Sequence, residues 1–340
     1  MLPPSSNTGG KSPLEAPGPS SRTKVDALAF SARGSRLGVL GLLESALESA
    51  GEVGISQRKA GWQGFEEAVE VLVDEASVGL VAWGGQSQNG AIYASLMGTG
   101  CALARDLQPL VAHCESREWA LKRVDLAADI VDGSVGFDTI IQAHRDGKFQ
   151  RGGRRPKLDG FGPLDGSDRG RTVTVGDRKS DVFFRGYEKG LKELNAFCDE
   201  LAPELARDAW WAAQFEVDGV MSDPRKWFRC ELELKAKKRP IPYDVVARRD
   251  HYFAGAYPFL AELLPAVEPE QIITPEKQGE LALHEALAHV RRQWGAMLYT
   301  AQMANGGDAM AVWEKIVGKK HSESLVRAGA LLGKLPETTP

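Results

Sequence analysis

The sequence is poor in the devices that hold or power many proteins. Its four cysteines (Cys101, Cys114, Cys198 and Cys230) are scattered, with no C-x-x-C pair. That excludes a disulfide framework or a cysteine zinc site and predicts reduced thiols in a cytoplasmic protein. No apolar run approaches the ~18 residues that suggest a membrane span, and the first residues lack the apolar stretch of a secretory signal. There is no Walker loop, which argues against ATP hydrolysis, and Gly98-Thr99-Gly100-Cys101 lacks the third glycine of a dinucleotide loop. His284 and His289 stand five apart rather than the four that place two ligands on one helix face. No His-x-His pair occurs. A net charge of −4 excludes a uniformly basic coat, so any nucleic-acid surface must be a local patch.

What is present is enough for a sizeable core: 340 residues, 43% of them apolar, fit one large or two ordinary domains. Residues 1–22 are rich in Pro, Ser and Gly and are expected to be disordered. A main domain is expected over 23–265 and a helical region over 266–335. Val25–Ser31 reads as a first strand, and Leu37–Leu47 and Phe65–Val73 as helices. Gly79–Trp83 and Ala91–Met97 read as a hairpin with a longer loop, followed by a helix from Cys101 to His113. Further on, Leu191–Ala206 is expected to be helical, stopping near Pro203, and Tyr243–Leu264 helical in part. Thr274-Pro275 is a helix start, leading to a helix that ends at Asn305-Gly-Gly307. A last helical segment spans Ala309–Leu332.

Three stretches carry charge in a strict alternation. In Arg123-Val-Asp-Leu-Ala-Ala-Asp-Ile130, the even positions are apolar while Arg123, Asp125 and Asp129 share the other face. Thr172–Val175 leads through Gly176-Asp177, a tight-turn signal, into Asp181-Val-Phe-Phe-Arg-Gly-Tyr187. There Asp181, Phe183, Arg185 and Tyr187 fall on one face, and Lys189 continues the row if the strand lasts. In Phe228-Arg-Cys-Glu-Leu-Glu-Leu-Lys235, Arg229, Glu231, Glu233 and Lys235 oppose Phe228, Cys230, Leu232 and Leu234. Each strand alone fits an antiparallel sheet with one solvated face. Side by side, they would make a single polar surface.

That surface has the parts of a phosphoryl-transfer site. Clustered carboxylates repel unless a cation sits among them, and Asp and Glu oxygens suit Mg²⁺ or Mn²⁺. Asp125 and Glu231 are the first-choice ligands, with Glu233 and Asp129 behind them. Arginine and lysine stabilise charge on a transferring phosphoryl group. Tyr187 would be the nucleophile, and Arg185 and Lys189 are expected to lower its pKa or stabilise the transition state. Residues 145–171 add a basic, glycine-rich insert, read as flexible and DNA-contacting, with Arg154 and Arg155 inside it. With a DNA substrate, Arg123, Arg178 and Lys179 would be further contacts.

At these residues the chain resembles the replication initiation factor family, the rolling-circle initiators of small plasmids, some conjugative transposons and filamentous phages. The family's R-x-D-x-A-x-D strand is matched by Arg123–Asp129, and its G-x-R-x-S-D…R-x-Y-x-K block by Gly176–Asp181 and Arg185–Lys189. Its aromatic-x-R-x-E-x-E-like strand is matched by Phe228–Glu233. The likeness runs from about residue 24 to 265. Gly186 and Glu188 depart from it, where family members carry a bulky apolar residue and an Asp or Asn. The resemblance implies an α+β fold related to the HUH endonucleases: an antiparallel sheet backed by helices, with acidic residues where those enzymes place metal-binding histidines. It implies a strand-specific nickase and religase that stores the cut bond as a 5′-phosphotyrosine, acts on single-stranded or hairpin origin DNA, and relies on a host helicase and DNA polymerase. A non-nicking, sequence-specific DNA-binding regulator of the same fold is the alternative. The C-terminal helices offer either origin specificity or a homodimer contact.

Overall fold

The structure is a computed structural model. It describes residues 22–322 and 325, apart from 152, 154, 164–168, 238 and 273–277. Residues 1–21 of the expected disordered tail, Arg154 and the Thr274-Pro275 helix start lie outside the described residues.

In chain order the elements are β1 (Lys24–Arg33), α1 (Arg36–Leu47), β2 (Val53–Gln57), β3 (Glu67–Val73), β4 (Ala76–Trp83), β5 (Ala91–Met97), α2 (Thr99–Leu103) and α3 (Gln108–Ser116). There follow β6 (Ala120–Ile130), α4 (Phe137–Arg145), β7 (Leu158–Phe161), β8 (Thr172–Val175), β9 (Val182–Tyr187), α5 (Lys189–Asp199) and α6 (Pro203–Ala212). The remainder are β10 (Phe215–Val217), β11 (Val220–Ser222), β12 (Phe228–Lys235), α7 (Arg249–Ala256), α8 (Pro258–Leu263), α9 (Gln278–Ala304) and α10 (Ala309–Ile316). Two compact units divide the chain, Met1–Ile272 and Ile273–Pro340.

Ten strands form one sheet in the order β2-β3-β4-β5-β1-β6-β12-β9-β8-β7, and every pairing within it is antiparallel. This is an α+β fold. One face of the sheet is continuous core. Leu28 and Phe30 of β1, Val124 and Leu126 of β6, Phe184 of β9 and Leu232 of β12 pack there against α1, α3, α4, α7 and α8. The helices supply apolar residues at helical spacing, such as Val39, Leu43 and Leu47 in α1 and Phe137, Ile140 and Ala143 in α4. The other face carries the polar residues.

Several elements differ from the sequence reading. Phe65–Val73 is no helix; β3 begins at Glu67, with Val69, Val71 and Val73 in the core. Three valines at a spacing of two fit a pleated surface between β2 and β4 better than a helix. The helix expected over Cys101–His113 is two, with Pro109 in the first turn of α3. Pro203 opens α6 rather than ending α5, as expected of a residue whose missing N–H costs nothing in a first helical turn. The tight turn at Gly176-Asp177 is a six-residue loop, in which the Ser180 N–H donates to the Asp177 carbonyl. Asp218-Gly219 makes the two-residue β10–β11 hairpin, both at positive φ. The basic insert is built in part as structure. Phe149 is buried against Phe184, Tyr257 and Phe259, and β7 pairs with β8.

Both departures from the family pattern have a place in the fold. Gly186 faces the Phe228 ring, and a Cβ there would stand 2.9 Å from it, so Phe228 fills the volume of the missing apolar side chain. Glu188 accepts from the Arg171 N–H at 2.6 Å and from its guanidinium at 2.9 Å, clamping the end of the basic insert to the end of β9.

Candidate active site

β6, β12 and β9 are neighbours in the sheet, so the three charged faces do form one surface. Register sets its rows. Asp125 lies opposite Glu233, which lies opposite Phe183; Glu231 lies opposite Arg185; Asp129, Arg229 and Tyr187 run across three strands in one row.

The Tyr187 hydroxyl donates to Glu231 Oε1 at 2.7 Å. Arg185 Nε donates to Glu231 Oε2 at 2.8 Å, its Nη2 binds the same oxygen, and its guanidinium lies 5.3 Å from the centre of the Tyr187 ring. Burial, and then the charge and hydrogen bond of Glu231, push the Tyr187 phenol well above its ordinary range, with Arg229 only partly opposing them. This corrects the expectation that neighbouring cations lower it. Arg185 is committed to Glu231, and Lys189, the first residue of α5 rather than the end of a strand row, binds Glu193 and lies over Trp227.

The carboxylates have two distinct environments. Asp129 is enclosed: Arg229 donates to both its oxygens at 2.7 Å, Lys24 lies 2.8 Å away, and the Trp227 indole donates at 2.7 Å. Burial alone would raise the Asp129 carboxyl, but the hydrogen bonds and charges of Arg229 and Lys24 outweigh it and hold it at about 2. Asp129 is thus saturated by cations and anchors Arg229, whose remaining nitrogen reaches Asp26 at 2.9 Å.

Asp125, Glu231 and Glu233 form the other environment, all buried. Arg123 makes a bidentate pair with Asp125 at 2.8 and 2.5 Å, and Lys235 pairs with Glu233. Burial is the largest influence on Asp125. Although Arg123 opposes it, the Glu233 and Glu231 charges add to it, and the carboxyl is pushed up to about 6. Three buried oxygen-donor groups whose mutual repulsion is incompletely relieved have the donor chemistry of a hard divalent cation site. Among the described residues, however, no three Asp, Glu, His or Cys side chains are grouped so as to hold a metal ion.

Two clefts meet at Tyr187. The larger, about 830 Å³, is lined by Tyr187, Glu231, Arg229, Lys24, Arg105 and Lys192, among others. The smaller, about 390 Å³, runs from Tyr187 across β9 and β8 to Phe161 and includes Arg178. Of the DNA contacts read from sequence, Arg178 and Lys179 are exposed on the β8–β9 loop, which Lys237 holds by a 2.6 Å bond to the Lys179 carbonyl. Arg123 is tied to Asp125, while Arg155 is exposed, bonds the Arg145 carbonyl and lines neither cleft. Sequence reasoning missed Lys24 and Asp26 because β1 and β6 slip register between Val25 and Ala27, so the two-residue period breaks there. It missed Lys192 and Phe161 because only the fold brings α5 and β7 beside β9.

A family model described as "Replication initiation factor" matches residues 119–317. No curated protein matches the chain. Among solved structures, a rolling circle replication initiator protein from Geobacillus stearothermophilus is similar at 18% identity, with a TM-score of 0.48, over 74% of this chain and 98% of that one.

Proposed function

The chain belongs to the replication initiation factor family, whose model matches more than half of it, and we propose that it initiates rolling-circle replication by cutting one strand of origin DNA with Tyr187. The observation that carries this reading is the adjacency of β6, β12 and β9, which sets a tyrosine hydroxyl 2.7 Å from a buried carboxylate at the junction of two clefts.

Tyr187 Oη forms a bond to phosphorus as the bond from phosphorus to the 3′-oxygen breaks. The DNA 5′-phosphate becomes a phosphotyrosine ester, and the departing oxygen becomes a 3′-OH able to prime synthesis. Glu231 Oε1 is placed to accept the phenol proton, which on net balance passes to the 3′-oxygen. Because the ester stores the cut bond, attack by a 3′-OH reverses the step and religates without ATP. Arg185 and Arg229 hold positive charge beside the hydroxyl. Asp125 and Glu231 would be the first carboxylates offered to Mg²⁺ or Mn²⁺, with Glu233 behind them, although the described residues are not grouped as a ready three-ligand site; such an ion would supply charge neutralisation at the phosphate. Asp129 is better suited to holding Arg229. The substrate is single-stranded or extruded DNA, since a duplex shields the scissile phosphate. Unwinding and synthesis fall to a host helicase and polymerase.

The test incubates the full chain and Mn²⁺ with single-stranded oligonucleotides tiling the cognate replicon, then resolves the products under denaturing conditions. A covalent protein–DNA adduct is expected with one strand, and Tyr187→Phe should abolish it while DNA is still bound. An adduct that survives Tyr187→Phe overturns the nucleophile; no adduct with any tile, despite binding, favours a non-nicking regulator.

A further inference from the structure

The smaller cleft contains side chains that the proposed chemistry leaves unused. Phe161, Thr172 and Tyr187 lie in one cross-strand row over β7, β8 and β9. Two strand spacings separate Phe161 from the nucleophile, about 10 Å. Phe161 is 58% exposed, on an edge strand beside a glycine, Gly160. Thr172 and Thr174 line the floor between, and Thr174 is 4% exposed. Lys192, one turn into α5, lines both this cleft and the larger one.

Lys192 differs from Arg185, Lys189 and Arg229, which each pair with a carboxylate. Lys192 is exposed and has no carboxylate partner among the described residues. Its position is fixed by the start of α5. Gly190 packs so closely on the turn at Pro224 that a Cβ would stand 1.8 Å from its carbonyl. The Lys192 N–H in turn closes on the Glu188 carbonyl. The Phe161 side of the cleft is fixed by pairing to β8.

An exposed aromatic, two hydroxyls and an uncommitted ammonium, within reach of a phosphodiester-cutting hydroxyl, match the parts of one nucleotide: a base face, a sugar and a phosphate. We propose that this cleft is a subsite for the nucleotide adjoining the scissile phosphate. Its base stacks on Phe161, and Lys192 neutralises the phosphate between it and Tyr187. The proposal rests on the reading of Tyr187 as a DNA nickase, and it assigns Lys192 and Phe161 to the strand rather than to the fold.

The experiment measures fluorescence anisotropy of 5′-fluorescein-dT12 against the full chain at several salt concentrations, with thermal melts confirming that each variant is folded. Phe161→Ala should weaken binding by about five- to tenfold, as expected for one stacked base, and Phe161→Leu, which keeps an apolar side chain, should lose nearly as much. Lys192→Met should lower the slope of log affinity against log salt by about 0.7, the contribution of one phosphate on a single strand. Lys59→Met, a charge-matched change on an exposed lysine of the β2–β3 loop, should leave affinity and slope unchanged. Repeating the titration with 5-iodouracil in the strand should crosslink to Phe161. If wild type binds dT12 and the Phe161 and Lys192 variants bind as wild type does, the subsite is wrong while the nickase reading stands. If wild type binds no single strand, the nickase reading itself fails.

Discussion

At the scale of single residues, the polar face holds carboxylates in two environments, one saturated by cations and one not. Asp129 is held at about 2 by Arg229 and Lys24, below the unfolded value of about 3.8–3.9. A depressed carboxylate contributes stability that is present above its unfolded pKa and lost as pH falls toward its folded pKa. Asp129 should therefore contribute on the order of 2–3 kcal/mol at neutral pH, disappearing between about pH 4 and pH 2. Asp125, pushed up to about 6, works in the opposite sense: its contribution is present below its unfolded pKa and lost as pH rises through about 6. Asp129→Asn should destabilise the chain by about 3–5 kcal/mol at pH 7, because it leaves the Arg229 guanidinium buried without its bidentate partner. The variant should also show a shallower loss of stability between pH 4 and pH 2. Urea denaturation across this pH range measures both. A variant as stable as wild type at pH 7 would return Asp129 to the candidate metal ligands. The pairing of Asp129 with Arg229 was not legible in the sequence, where the two stand 100 positions apart and Asp129 reads as a reserve metal ligand behind Asp125.

At the scale of elements, strands were legible where a period of two sets apolar residues against charged ones. β6, β9 and β12 were each read with the correct inward residues, because one face is core and a single-residue slip would bury charge. Reading failed where a second signal was needed. In β3 the apolar pattern alone reads as a helix, because the pairing with β2 and β4 that selects a strand is not local. The β8–β9 connection was misjudged because Asp177, whose carboxylate accepts from the Lys179 N–H at 2.7 Å, builds a wider loop than a Gly-Asp pair suggests. Gly186 offers a direct test of how tightly β9 and β12 are fitted. Its missing side chain is replaced by Phe228, so restoring the family's apolar residue with Gly186→Val should overpack the core. A cost of about 1–3 kcal/mol is expected, and Phe228→Ala in the same chain should recover part of it, although Phe228→Ala alone creates a cavity. A double-mutant cycle of thermal or urea unfolding measures the coupling. Additive effects of the two changes would show that the ring and the glycine do not share the volume.

At the scale of the molecule, the matched family region begins at residue 119, yet half of the large sheet precedes it. β1 sits between β5 and β6 and sends Lys24 and Asp26 to the Asp129–Arg229 pair, so the first 118 residues complete the site. The Tyr187 surface, both clefts and the main core belong to the unit that closes at Ile272, itself buried, with the Arg239 guanidinium bonded to the Ile272 carbonyl. α9 and α10 belong to the second unit. Chemistry and that helical unit should therefore be separable. A chain ending after Ile272 should unfold cooperatively and form the Tyr187-dependent adduct at a rate within about threefold of the full chain, a difference of under about 0.7 kcal/mol in barrier. Whatever origin selectivity the helices provide should be lost, giving similar adduct yields from cognate and scrambled tiles. A truncated chain that folds yet forms no adduct would place part of the active site in the second unit. One that keeps full selectivity would assign origin recognition to the sheet and its clefts, and leave the helices for self-association.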